Sequence, residues 1–326
     1  MANESMHSEW PKKVLSVEIP TSDSKSQSAI WYSAEGKEKR PLLVGLHTWS
    51  SSWISSPGSY DYARWSISQN WNFIHPQFRG PNRTPEAMGS DRAVQDIVEA
   101  VAWVKANANV DEERIYLIGV SGGAHMALLM AGRHPELWTA VSAWCGISDI
   151  HQWYVEHVQN GVPDNYARDI ELALEGASKD SDWLQKAEHR SPLKWLKNAK
   201  KVPLDINGGF HDGRTGSVPF LHSIRAFNEV VEGETKLDEL KAAEFYETQK
   251  LPVGWSQAEA DPVYQKWVPV FRRESSYARL TIFEGGHEIA HQAALNWLSA
   301  QRRGQLPVWK LPSIIPFEDA KAESGK

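Results

Sequence analysis

The sequence predicts an α/β fold in which a mostly parallel sheet of eight strands is flanked by helices. Near-continuous apolar runs such as Pro41-Leu-Leu-Val-Gly-Leu46 and Ile115-Tyr-Leu-Ile-Gly119 suit strands buried on both faces. Amphipathic helical stripes alternate with those runs along the chain. The length, 326 residues, accommodates one such domain with insertions, read here as residues 1–326.

Eight segments have the β-branched and apolar content of strands and are bounded by turn residues: Val14–Ile19, Ser28–Ser33, Leu42–His47, Asn72–Phe78, Ile115–Val120, Ala140–Cys145, Val202–Asn207 and Arg279–Phe283. From Asp91, apolar residues recur at Val94, Ile97, Val98, Val101 and Val104, the spacing of one helix face. Similar stripes cover His125–Gly132, Val218–Val230 and Ile289–Leu298. Two stretches break the rhythm. Residues 151–200, rich in Trp, Tyr and charge, read as a helical cap, and residues 232–276, which carry Pro252, Pro262 and Pro269, read as a second excursion. Residues 312–326 read as a tail that frays.

Composition narrows the function. With 35 basic against 41 acidic residues, a net charge of -6, the chain has no basic excess to neutralise a phosphate backbone, so nucleic acid is not an expected partner. No run approaches the length of a membrane span, and Met1–Trp10 is polar, without the apolar core of a secretory signal. The expectation is a soluble protein, either cytoplasmic or exported with its signal removed. Cys145 is the single cysteine and has no partner for an intramolecular disulfide, and no Cys/His spacing of the structural zinc type occurs. Sixteen tryptophans are many for this length and suggest either packing or aromatic platforms in a cleft.

The most specific signal is Gly119-Val120-Ser121-Gly122-Gly123, a G-x-S-x-G placed directly between an expected strand and an expected helix. A sharp strand-to-helix turn of this kind lifts a serine hydroxyl clear of the sheet, and small neighbours let the chain turn; it is the nucleophile elbow of the α/β-hydrolase fold. A nucleophilic serine needs a base, because its hydroxyl is protonated at neutral pH. Gly285-Gly286-His287-Glu288 follows the last expected strand and makes His287 the candidate among twelve histidines, since the order in this fold is Ser, acid, His. The acid belongs after the strand Val202–Asn207, where a Gly-rich loop carries Asp212; Asp205, within the strand, is the weaker candidate. For the two donors that an oxyanion requires, the backbone N–H of Gly122 is one, and the N–H of Thr48 or Trp49, after the strand Leu42–His47, is the other. His47 reads as structural.

Together these residues resemble the catalytic domain of the prolyl oligopeptidase family over roughly Pro41–Leu298. Phe78-Arg79-Gly80-Pro81, then Asp96-Ile-Val-Glu-Ala-Val-Ala-Trp103, then Asp111-Glu-Glu-Arg-Ile115 precede the serine motif in the family's order. The sequence departs from the family's true peptidases in that no β-propeller sequence precedes the catalytic domain here, and esterases that look similar often consist of the hydrolase domain alone. The acid loop departs from the family's Asp-x-x-Val-Pro: Asp212 lies at the acid position when counted from Pro203, but Thr215 does when counted back from Val218-Pro219.

The expected activity is hydrolysis of a carboxylic ester through an acyl-enzyme on Ser121, with a small-molecule or oligosaccharide ester as the partner and no cofactor or metal. Trp49, Trp53, Trp144 and Trp153 are candidate cleft-lining residues and suggest a carbohydrate or aromatic ester. The resemblance supplies an alternative, a peptidase acting on short peptides with Arg168, Arg214 or Arg272 binding a terminal carboxylate. A non-catalytic binding protein of the same fold is a third reading.

Overall fold

The computed structural model describes residues 7–176 and 181–317. In chain order the strands are β1 (Leu15–Pro20), β2 (Ser26–Tyr32), β3 (Arg40–Leu46), β4 (Asn72–Pro76), β5 (Val110–Val120), β6 (Ala140–Trp144), β7 (Val158–Gln159), β8 (Val162–Pro163), β9 (Leu204–Gly209), β10 (Pro269–Glu274) and β11 (Ala278–Phe283). The helices are α1 (Ser59–Ser68), α2 (Asp91–Asn107), α3 (Gly122–Arg133), α4 (Ile150–Glu156), α5 (Asn165–Leu174), α6 (Ser181–His189), α7 (Leu221–Val230), α8 (Glu239–Thr248) and α9 (His291–Ala300).

Nine strands form one sheet in the order β1-β2-β4-β3-β5-β6-β9-β11-β10, and β7 pairs with β8 in a separate short hairpin. The six strands from β4 to β11 run parallel, while β1, β2 and β10 add antiparallel pairings at the two edges. This is the α/β-hydrolase architecture, with one more strand than the eight expected. The addition, β10, lies inside the stretch read as a second excursion. It starts on Pro269 and ends in Arg272-Arg273-Glu274, a composition suited to a sheet edge and unlike the apolar runs of the interior.

Side-chain alternation along the central strands builds two cores. Leu42, Val44, Leu46 and Leu117 join α2, α3, α7 and α8 on one face, whereas Leu43, Tyr116 and Ile118 join α1 and α9 on the other. Each fully buried aliphatic side chain there contributes about 1.5–3 kcal/mol of transfer free energy. A third apolar cluster brings Ile150, Trp153, Ile170 and Trp183 of α4, α5 and α6 against Trp49 and Val218, which follow β3 and β9. The helices of residues 151–200 therefore pack at the same sheet end as those two loops.

Of the segment expected to fray, residues 312–317 are held against α9: Asn296 exchanges hydrogen bonds with the Ile315 backbone, and Trp309 just before them stacks on Trp297 at 5.6 Å. Residues 318–326 lie outside the described residues, as do 1–6 and 177–180. Among the described residues, no helix is long and apolar enough to cross a membrane.

Candidate active site

β5 ends at Val120, and Ser121 turns the chain into α3 with φ 58° and ψ -125°. A non-glycine residue in this region carries about 1–3 kcal/mol of strain, which the surroundings must impose. They do so through close approaches. A methyl group at Gly119 would lie 2.3 Å from the Gly123 backbone, and one at Gly123 would lie 2.5 Å from the Leu46 carbonyl oxygen. Ser121 is anchored by its own N–H, which donates to the Trp144 carbonyl at 2.9 Å, and by its carbonyl, which accepts from His125 N–H at 2.9 Å.

Gly122 faces the loop after β3, and a methyl group there would lie 2.5 Å from the Trp49 nitrogen. Among the described residues, neither the Gly122 nor the Trp49 backbone N–H has an acceptor. The Trp49 carbonyl is held from behind by Asn82, whose backbone N–H and side-chain amide donate to it at 3.0 and 3.3 Å. Asn82 is wholly buried, and its Oδ1 accepts from Met88 N–H. His47 stacks on Phe78 at 3.9 Å, with its ring nitrogens 2.9 Å from the Thr48 and Gln77 carbonyls, the structural placement expected for it.

Parallel pairing delivers the acid and the histidine side by side. Gly209 pairs with Phe283 at the ends of β9 and β11, and His211 N–H extends the contact to the Gly285 carbonyl at 2.9 Å. A methyl group at Gly209 would overlap the Gly286 carbonyl, at 1.8 Å, so the two loops meet only because this position is bare. His287 Nδ1 then donates to Asp212 Oδ2 at 2.7 Å. The other carboxylate oxygen accepts the N–H groups of Gly213 and Val218 at 2.9 and 3.1 Å.

Of the two acid-loop positions, Asp212 and not Thr215 is the one bonded to His287. The extra residues form an excursion whose end, Val218, returns to Asp212, and Gly216 passes so close that a methyl group there would lie 2.3 Å from Asp212 Oδ1. The Thr215 hydroxyl donates to the His211 carbonyl instead and does not meet His287. Asp205 is paired with Arg279 at 2.8 Å in the sheet interior.

Ser121 and His287 line one cleft of about 280 Å³ with Thr48, Trp49, Tyr166, Glu288 and Ile289. Two of the four tryptophans expected in it, Trp144 and Trp153, are packing residues outside the lining. Trp144 and Trp153 are wholly buried, with their indole N–H groups donating to Ser142 Oγ and the Ser217 carbonyl. Trp49 contributes to the cleft wall, but its residue is 2% exposed, with its ring set edge-on to Trp153 and its N–H donating to Asp169. Trp53 is half-buried, its backbone N–H held by Gln77. The residues missed from sequence are Tyr166 of α5 and Glu288, whose carboxylate accepts from Trp267 Nε1 at 2.5 Å. Adjacency to His287 was the available signal for Glu288; Tyr166 reaches the cleft only through tertiary packing.

A nine-stranded, mostly parallel sheet flanked by helices, with a serine at the strand-to-helix turn and an Asp–His pair at the same sheet end, is the α/β-hydrolase fold. Residues 86–243 match the model of the prolyl oligopeptidase family. That match covers just under half of the chain. Among curated proteins it is similar to feruloyl esterase B of Talaromyces funiculosus, 26% identical over 116 residues that cover 33% of each chain. Acetylxylan esterase A of Aspergillus ficuum is 33% identical over 94 residues, covering 25% of this chain and 31% of that protein. The chain thus spans about a third of the length of these relatives. Among solved structures, an acylaminoacyl peptidase bound to a chloromethyl ketone superposes with a TM-score of 0.53 and 20% identity, covering 67% of this chain and 34% of that one.

Proposed function

We propose that this enzyme hydrolyses carboxylic esters through an acyl-enzyme on Ser121, with His287 as general base and Asp212 orienting it. The observation that carries the reading is the strained, glycine-enclosed Ser121 sharing a cleft with a histidine whose other nitrogen is bound to a buried carboxylate. Nε2 of His287 takes the serine proton as Oγ attacks the carbonyl carbon, and the Asp212 carboxylate stabilises the imidazolium that forms. The tetrahedral oxyanion is held by the N–H of Gly122 and the N–H of Trp49. Trp49 is preferred to Thr48 because its nitrogen lies against Gly122, while Asn82 holds the following peptide through the Trp49 carbonyl. His287 then protonates the departing alcohol, and water, activated by the same base, releases the acid.

The substrate class is a carbohydrate or aromatic ester. Support comes from the relatives, whose names specify feruloyl and acetylxylan esters, and from a cleft that places the Tyr166 ring and the Glu288 carboxylate beside the serine. The family match favours a peptidase as the second reading. Against it, two of the arginines considered for a terminal carboxylate are already engaged: Arg214 donates to the Tyr246 and Glu247 carbonyls, and Arg272 pairs with Asp261.

The test is turnover of a panel of acetyl, butyryl and feruloyl esters, acetylated oligosaccharides and aminoacyl amides by the wild type and Ser121→Ala. The expected outcome is hydrolysis of sugar or aryl esters that falls by at least about 10³-fold in the variant. Turnover confined to the amides would transfer the assignment to a peptidase.

A further inference from the structure

Cys145, Asp212 and His287 come from three different loops, yet the cysteine sulfur, a carboxylate oxygen and a ring nitrogen lie within 4.8 Å of one another. Cys145 follows β6 with φ 50° and is 1% exposed. Its backbone N–H donates to the Asn207 carbonyl at 2.7 Å, and its thiol faces the carbonyls of Gly286 and Glu288, on either side of His287, at 3.7 and 3.4 Å. Burial, together with the Asp212 charge, pushes the thiol pKa well up, so without a cation it remains a neutral S–H behind the acid. The cluster meets solvent at His287, whose side chain is 24% exposed, whereas the Asp212 side chain is wholly buried.

We infer that Cys145, Asp212 and His287 form a binding site for a thiophilic divalent cation of the zinc class, and that its occupation blocks hydrolysis from behind the proposed triad. Sulfur, imidazole nitrogen and carboxylate oxygen are zinc's donor types, at about 2.0–2.3 Å from the metal, which sets two ligands roughly 3–4 Å apart. The observed spread closes to that with side-chain shifts of about an ångström. The charges also suit a buried position, because a dication with one thiolate and one carboxylate is neutral overall.

Binding involves no redox change. The metal–sulfur bond forms as the thiol proton leaves to solvent, and the metal–nitrogen bond uses the Nδ1 lone pair after that nitrogen's proton has moved to Nε2. The carboxylate keeps its charge and exchanges its hydrogen bond from His287 for the cation. Inhibition follows from the tautomer: with hydrogen on Nε2, the ring has no lone pair with which to take the serine proton. The inhibition rests on His287 being the base, whereas the binding does not.

The experiment titrates the intact protein with Co²⁺ as a spectroscopic probe and with Zn²⁺ as an inhibitor of ester turnover, in the wild type, Cys145→Ala and Cys145→Ser. The serine variant keeps the side-chain volume while removing the soft donor. The expected result is a thiolate-to-cobalt charge-transfer band in the wild type that is absent from both variants, and an inhibitory Zn²⁺ concentration at least about tenfold higher in the variants. No thiolate band in the wild type would overturn the site, and inhibition by Zn²⁺ at the same concentration in all three proteins would overturn its occupation as the cause and leave only adventitious surface binding. A Cys145-dependent band with undiminished turnover would uphold the site and count against His287 as the base.

Discussion

At the residue scale, Ser121 adopts a backbone conformation that its side chain disfavours, and three glycines permit it where any methyl group would collide with backbone. The same economy of space places Asp212, since bare positions at Gly209 and Gly216 let the acid loop and the histidine loop touch. Of the two residues that loop counting left open, only Asp212 reaches His287. Replacing it by Asn, which favours the wrong ring tautomer, is expected to lower kcat by about 10⁴-fold, whereas Thr215→Ala is expected to stay near wild type. Steady-state kinetics of the two variants decides this, and the reverse ranking would move the acid role away from Asp212.

At the element scale, α3 does more than follow the serine. His125, one turn on, is fully buried, its Nε2–H donates to the Arg190 carbonyl at 2.8 Å, and burial pushes its pKa down to about 4 from 6.5. Its folded pKa lies below the unfolded value, so the unfolded state binds the proton more readily. Stability associated with it is complete above about pH 6.5 and is lost as pH falls toward 4. The loss amounts to at most about 3 kcal/mol over that window. Urea unfolding at a series of pH values is expected to give a steeper acid loss for wild type than for His125→Gln, and equal slopes would contradict the assignment.

Elements with one dominant local signal were legible in the sequence. Eight strands and the helices α2, α3, α7 and α9 follow from apolar runs and stripes, because central strands and core-facing helices are apolar by necessity. The edge strand β10 was not, since a proline start and a charged end resemble a loop, and α1, in Ser59-Tyr-Asp-Tyr, has few strong helix formers. The elbow serine and the Gly-Gly-His loop were readable because both are local. Asn82 behind Trp49 and Cys145 behind Asp212 were not, because each acts on a partner distant in sequence. The tryptophan richness reflects packing at Trp144 and Trp153 and, beside its place in the cleft wall, at Trp49, each of which satisfies an indole N–H inside the protein.

At the scale of the whole molecule, the parallel sheet acts as an assembly device. β3, β5, β9 and β11 deliver Trp49, Ser121, Asp212 and His287 at their carboxyl ends, and adjacency in the sheet becomes adjacency in the cleft. The helices of residues 151–200 complete the enclosure by setting Tyr166 in the cleft wall and packing a separate apolar cluster around Trp49 and Val218. In the proposed mechanism this assembly makes Ser121 a nucleophile. The most direct test of this is reaction of the intact protein with a fluorophosphonate, followed by peptide mass spectrometry. The account predicts one stoichiometric adduct on the peptide containing Ser121 and none on Ser121→Ala; an unreactive wild type, or an adduct on another serine that persists in the variant, would contradict it.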